Sequence, residues 1–315
     1  VRELPDRLAR LTTGKLKLGI SLYGIPVSPQ LVFRCGLELK KMCRKQGRSL
    51  RFIAATGSAL NSAQVLHNQL TSDLGMELCL IKNGAKTWVA QTTAVQDVDD
   101  YARRDFGRPR RDAFVGMLPP KLAQVMLNLA RPVQGDTILD PFCGTGVLLQ
   151  EAALQRFAIY GTDINEKMVR YTRDNLHWLQ ETYAVGFEKY FEIADATKHT
   201  WRQPVQHVVC ETYLGQPLSG LPSPQKLEEI IQNCNTIIGA FLKNIRPQLP
   251  ANSRHCIAVP AWYDGKICKH LPLLDHLEKL GYNRIKFQHA RWDDLVYHRE
   301  DQIVARELLV ITVKE

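Results

Sequence analysis

The strongest chemical signal in the chain is the run Asp140-Pro141-Phe142-Cys143-Gly144-Thr145-Gly146. Its two glycines let the backbone turn tightly and approach a ligand with no Cβ in the way. The spacing is G-x-G: position 149 is Leu, and no Gly-Lys-Ser/Thr follows, which excludes a dinucleotide fingerprint and a P-loop. An acid at position 140 repels phosphate and welcomes an ammonium group. Asp163 lies 19 residues after Gly144, where an acceptor for ribose hydroxyls belongs. Asp195 closes the next apolar run, at the same expected sheet edge, where a carboxylate can accept from an adenine amine. Singly, these glycines only turn a chain, Asp163 caps a helix before Asn165, and Asp195 sits in a turn. In register they describe a nucleoside bearing a cationic amino-acid tail. S-adenosylmethionine has that form; NAD and ATP do not. The expected cofactor set is Asp140, Pro141, Phe142, Gly144, Gly146, Asp163, Ile164, Asp195 and Ala196, with no metal.

The elements that hold these residues alternate from Gly135 onward. Thr137–Asp140 ends a buried strand, Gly146–Gln155 is helical, Ile159–Thr162 a strand, Glu166–Leu179 a helix and Glu192–Ala194 a strand. Val205–Cys210 is a further strand, Leu214–Pro224 a Gly/Pro loop, Lys226–Ile245 a helix and His255–Val259 a strand. The end, Arg284–His289, Leu295–His298 and Glu307–Val313, reads as strands, the last pair a hairpin. Strands alternating with helices predict a mostly parallel, Rossmann-like α/β sheet carrying a C-terminal antiparallel hairpin.

The first third reads as a smaller α+β domain over residues 1–100. Strands are predicted at Lys15–Tyr23, Leu50–Ala54, Glu77–Lys82 and Thr87–Gln91, with an Asn83-Gly84 hairpin turn between the last two. Helices fall at Gln30–Gln46, with Val32, Cys35, Leu39 and Cys43 on one side, and at Ser62–Thr71. Tyr101–Asp112 lacks apolar periodicity, so residues 101–115 are read as a basic linker. Pro119-Pro120 opens the second domain's first helix, Lys121–Ala130, within a domain spanning 116–315.

Hydrophobic content of 45% and charged content of 23% exclude a disordered or fibrous chain. No run of about 18 apolar residues occurs, so no bilayer-spanning helix is expected. Val1-Arg2-Glu3-Leu4-Pro5 does not read as a signal peptide. Eight cysteines without C-x-x-C spacing point to reduced thiols and a cytoplasmic protein. The net charge of +9 suggests a polyanionic partner. Two basic groups are its candidate contacts. Lys40, Lys41 and Arg44 lie largely opposite the apolar side of one helix, and Arg104, Arg108, Arg110 and Arg111 crowd the linker.

Three stretches carry a family resemblance: Asp140–Gly146, Arg108-Pro109-Arg110-Arg111, and Gly116-Met117-Leu118-Pro119-Pro120-Lys121-Leu122-Ala123. With the ending Tyr297-His298-Arg299 and Val304-Ala305-Arg306-Glu307-Leu308, the chain resembles the THUMP-containing tRNA guanosine-10 N2-methyltransferases over about residues 15–315. The resemblance implies a Rossmann-like methyltransferase domain behind a THUMP-like RNA-binding module, with tRNA as partner and an activating protein subunit left open. Little precedes Lys15, so that module is expected to be incomplete at its N-terminus. The family carries an Asp/Asn-Pro-Pro-Tyr/Phe loop after its fourth strand, whose polar side chain binds the target amine and whose ring stacks on the base. This chain has Cys210-Glu211-Thr212-Tyr213-Leu214-Gly215 there, without either proline. The resemblance assigns amine binding to Glu211 and stacking to Tyr213. A catalytically weakened RNA-binding paralogue, and a DNA or protein amino methyltransferase on the same fold, are the alternatives.

Overall fold

A computed structural model describes residues 15–112, 118–202, 204–218, 220–263, 268–299 and 302–314. Residues 1–14 of the first domain, 113–115 of the expected linker and Gly116-Met117 of the family motif lie outside the described residues. The chain divides into two compact units between Ala102 and Arg103.

In the first unit, β1 (Leu16–Tyr23) pairs in parallel with β2 (Leu50–Ile53) and β3 (Gly75–Asn83). β4 (Lys86–Gln91) returns antiparallel to β3 through the predicted Asn83-Gly84 turn, giving the order β2-β1-β3-β4. Helix α1 (Pro29–Lys45) starts on Ser28, whose Oγ accepts from the Leu31 amide, and buries Val32, Gly36, Leu39 and Cys43. Cys35, expected on that face, is exposed instead. Gly36 takes its place because a Cβ there would meet the Phe52 ring at 2.5 Å. A short helix, α2 (Ser62–His67), opens on an Asn61–Gln64 capping box.

The expected linker is partly a helix, α3 (Val98–Phe106). Asp97 Oδ1 accepts the Asp100 amide at 2.9 Å, and Asp99, Asp100, Arg103 and Arg104 complement the helix dipole. Periodicity missed it because its buried residue is Arg104, not an apolar side chain.

The second unit holds a nine-stranded sheet. Its path is β11 (Tyr282–Arg284), β13 (Val304–Val313), β9 (Arg254–Tyr263), β8 (His207–Glu211), β5 (Thr137–Asp140), β6 (Ala158–Asp163) and β7 (Lys189–Ile193). β10 (Cys268–Lys269) pairs with β9 and β12 (Val296–Tyr297) with β13. Strands β5 to β9 are parallel; β13 enters antiparallel beside β9, and β12 meets it as the expected antiparallel pair.

Each central strand is apolar on both faces, as burial between two helical layers demands. One face packs Ile257, Val259, Leu309 and Ile311 against α7 (Pro224–Ile245), whose Leu227, Ile231, Cys234, Ile238 and Phe241 form a helical stripe. The other face packs Cys256, Ala258, Leu308 and Val310 against α4 (Pro120–Ala130), α5 (Val147–Leu154) and α6 (Glu166–Tyr183). From β5 the chain runs outward to β6 and β7, then returns to β8 on the other side of β5. That reversal opens a crevice at the carboxyl ends of β5 and β8, the usual place for a ligand in such sheets.

All eight cysteines are free thiols, and Cys43, Cys79, Cys143, Cys210, Cys234 and Cys256 are buried. Among the described residues no helix is long and apolar enough to cross a membrane.

Candidate active site

The crevice is a cavity of about 640 Å³, within the range of small-molecule sites. The loops after β5, β6, β7 and β8 line it, and they bring Asp140, Asp163, Asp195 and Glu211 to one place. Pro141, Phe142, Gly144, Ile164, Ala196 and Tyr213 line it too.

The glycine loop is held from below. Gly144 has φ +51° and Gly146 φ +82°. Thr172 Oγ1 on α6 donates to the Gly144 carbonyl at 2.9 Å, and Asn175 Nδ2 donates to the Thr145 carbonyl at 2.8 Å. Gly146 itself is absent from the cavity wall; it begins α5, and a Cβ there would meet Thr172 at 2.9 Å. Tight packing against α6 requires a glycine here.

Asp163 ties two loops together. Oδ2 accepts the Gly144 amide at 3.0 Å and Oδ1 accepts the Asn165 amide at 2.9 Å. Each oxygen keeps a second lone pair for a hydroxyl. Burial raises the Asp163 carboxyl above its usual range, against those two amides. Asp195 closes a tight turn, with Oδ1 accepting from the Thr197 amide and hydroxyl at 3.0 and 2.7 Å, which holds its carboxyl low. So each of these acids does the local work a turn or cap asks of it and still faces the cavity.

Asp140 is 3% exposed, and its Oδ1 accepts the Phe142 amide at 3.1 Å. Burial pushes its carboxyl well up, and the neighbouring charges of Asp163 and Glu211 push the same way. Three crowded carboxylates with raised or strained ionisation form a site for positive charge. They fit an ammonium tail and oppose a phosphate.

The loop after β8 replaces the family's prolines with residues that extend the ladder. The Thr212 amide and hydroxyl both donate to the Ala258 carbonyl, at 2.9 and 3.1 Å. A proline at 212 has no amide hydrogen to make the first bond. Glu211 lines the cavity with its carboxylate raised by burial and lowered by Arg306 and Arg299. Tyr213 is half-buried, packed against the α7 side of the core while lining the cavity.

The RMKL-like methyltransferase domain model matches residues 108–237, the span that contains the glycine loop, all four carboxylates and Tyr213. A probable tRNA (guanine(10)-N2)-dimethyltransferase of Methanothermococcus thermolithotrophicus is 32% identical over 120 residues, covering 38% of this chain and 73% of that protein. The chain belongs to the tRNA (guanine(10)-N2)-methyltransferase family. A second member, from Methanothermobacter thermautotrophicus, is 33% identical over 161 residues, covering 50% of this chain and 43% of that protein. The chain spans less than half the length of several curated family relatives it matches. The crystal structure of TrmN from Thermus thermophilus shares the fold, with TM-score 0.54 and 18% identity, covering 99% of this chain and 78% of that one.

The structure divides the basic linker cluster that charge marked as a polyanion contact. Arg104 is buried, its Nε on Glu151 Oε1 at 2.6 Å, while Glu151 Oε2 takes Gln124 Nε2 at 2.7 Å. Arg108 is also buried, and burial lowers its ionisation. Neither faces solvent, which argues against their expected phosphate contacts; Arg104 anchors the segment on Glu151, while the buried Arg108 guanidinium has no hydrogen-bond partner among the described residues. Arg110 and Arg111 are exposed. Arg110 Nε bonds Asp174 Oδ2 at 2.7 Å, and its backbone is held on both sides by Asn175, at 2.9 Å each. Asn175 thus joins the glycine loop to the basic segment, a role the sequence pattern did not mark. Lys40, Lys41 and Arg44 are exposed on α1.

Proposed function

We propose that this chain is an S-adenosylmethionine-dependent tRNA methyltransferase acting on the exocyclic N2 amine of a guanosine, position 10 by family likeness. The observation that carries this reading is the meeting of Asp140, Asp163, Asp195 and Glu211 on one cavity at four successive loop positions of the sheet edge. Asp163 accepts the ribose hydroxyls and Asp195 the adenine amine, with Ile164 covering the adenine ring. Asp140 takes the charge of the amino-acid tail and, once so paired, is held ionised.

The N2 amine of guanine is a poor nucleophile because its lone pair is delocalised into the ring. Glu211 accepts an N–H of that amine, which drives the nitrogen toward sp³ and aims its lone pair. S-adenosylmethionine supplies the methyl group, which the lone pair takes as the C–S bonding pair stays on sulfur. The carboxylate of Glu211 then receives the proton the nitrogen sheds. Tyr213 offers a face to the base, offsetting part of the cost of leaving its stack. Holding amine and methyl together supplies the rest of the acceleration.

The first unit is assigned the role of a THUMP-like RNA-binding module, with Lys40, Lys41 and Arg44 on its phosphate-contacting face. Arg110 and Arg111 contact the tRNA backbone from the second unit. The test is nucleoside analysis of unmodified tRNA incubated with the protein and methyl-labelled cofactor. The expected product is N2-methylguanosine or its dimethyl form. Label in another base, or none in RNA, would overturn the reading, and label in DNA or protein would favour the other amine substrates on this fold.

A further inference from the structure

Glu211 is reached by a side chain 95 residues further along the chain. β9 sets Ala258 opposite Glu211 on one side and Pro260 opposite Arg306 on the other. The guanidinium of Arg306 crosses this strand, and its Nε donates to Glu211 Oε1. The two side chains are 6% and 14% exposed, so the pair is shielded from water at the rim of the cavity. Among the described residues Glu211 Oε2 has no hydrogen-bond partner. Arg306 Nη1 reaches Gln302 Oε1 at 3.5 Å, which steadies the far side of the guanidinium.

We propose that Arg306 is a positioning residue for methyl transfer: it fixes one oxygen of Glu211 and leaves the other free to accept the substrate amine. This rests on the methyltransferase reading above. The family loop places an Asp or Asn at this position; Glu has one more rotatable bond, so its carboxylate needs a restraint that the shorter side chain does not. A planar guanidinium supplies both the restraint and a counter-charge. The counter-charge matters because the groups facing Glu211 are mixed in sign. Asp140 at the end of β5 and Asp163 at the end of β6 add negative charge to the cavity, while Arg299 and Arg306, before and within β13, oppose it. An acceptor must be ionised, and burial alone works against that.

The test compares the parent with Arg306→Met and Arg306→Lys. Single-turnover methyl transfer is followed against pH, and the Glu211 carboxyl is titrated by carbon NMR of labelled protein. In Arg306→Met the maximal rate is expected to fall about ten- to a hundredfold. Loss of the cation raises the Glu211 carboxyl, so the acidic limb of the rate profile moves up by about one to three pH units. In Arg306→Lys the limb stays near the parental pH, but the rate still drops because a single ammonium does not hold the carboxylate in plane. Affinity for S-adenosylhomocysteine is expected to stay within about twofold in both, since Arg306 does not line the cavity. A parental rate in Arg306→Lys, or an unmoved Glu211 titration and pH limb in Arg306→Met, would overturn the proposal. Absence of transfer by the parent protein would instead overturn the methyltransferase reading, leaving the NMR titration to decide whether Arg306 holds Glu211 ionised.

Discussion

Glu211→Ala is expected to lower methyl transfer to tRNA by about a hundred- to a thousandfold while S-adenosylhomocysteine still binds. Positive charge develops on the amine nitrogen as the new bond forms, and Glu211 is the carboxylate at the end of β8 that lines the same cavity as Asp140, Asp163 and Asp195. A pre-aimed charge in a shielded site is worth far more in the transition state than in water. The alanine also leaves the buried Arg306 without its partner, which costs about 3–5 kcal/mol of stability on general grounds. Glu211→Gln separates the two effects. Its amide oxygen still accepts from Arg306, which keeps that buried hydrogen bond, but the atom that then meets the amine is an NH2 donor and cannot accept. The glutamine variant is expected to lose rate about as far as the alanine while losing less in urea midpoint. A rate equal to the parent's in both variants would remove Glu211 from the mechanism.

The second large effect is on cofactor affinity. Asp163→Ala removes the acceptor expected for the ribose hydroxyls and also the two bonds that tie Gly144 and Asn165 together. Hydrogen bonds to a charged group contribute about 1.5–3 kcal/mol each. Loss of even one therefore predicts about tenfold or greater weakening of S-adenosylhomocysteine binding in calorimetry. The Asp163 carboxyl is raised by burial, and its ionised form is the one that accepts. Affinity is accordingly expected to be full above that raised value and to fall as pH drops through it, because protonation converts an acceptor into a donor. In Asp163→Ala this part of the pH dependence disappears. Unchanged affinity in the variant would detach Asp163 from the ribose.

The acids that share the cavity were legible because they are local. A glycine loop between a strand and a helix, then acids at the next two strand ends, appear within residues 140–195, and the parallel sheet gathers them at one edge. What stayed hidden depends on distance or on burial. Charge alone suggested that Arg104 and Arg108 meet solvent, yet Arg104 is under the fold on Glu151, 47 residues away in sequence. The same buried charge kept α3 from showing an apolar period. Arg306 gave no local sign either. It meets Glu211 only because β13 inserts beside β9 rather than at the end of the sheet. The packing need at Gly146, where a Cβ would meet Thr172, was equally invisible in the motif.

The central claim is that this cavity receives a nucleoside with a cationic amino-acid tail and refuses phosphates. Calorimetric titration of the parent protein with S-adenosylhomocysteine, beside ATP and NAD, tests it most directly. The account predicts saturable binding of one S-adenosylhomocysteine per chain, displaced by S-adenosylmethionine and indifferent to ATP or NAD. Silence toward S-adenosylhomocysteine, or preference for either phosphate-bearing nucleotide, would contradict it.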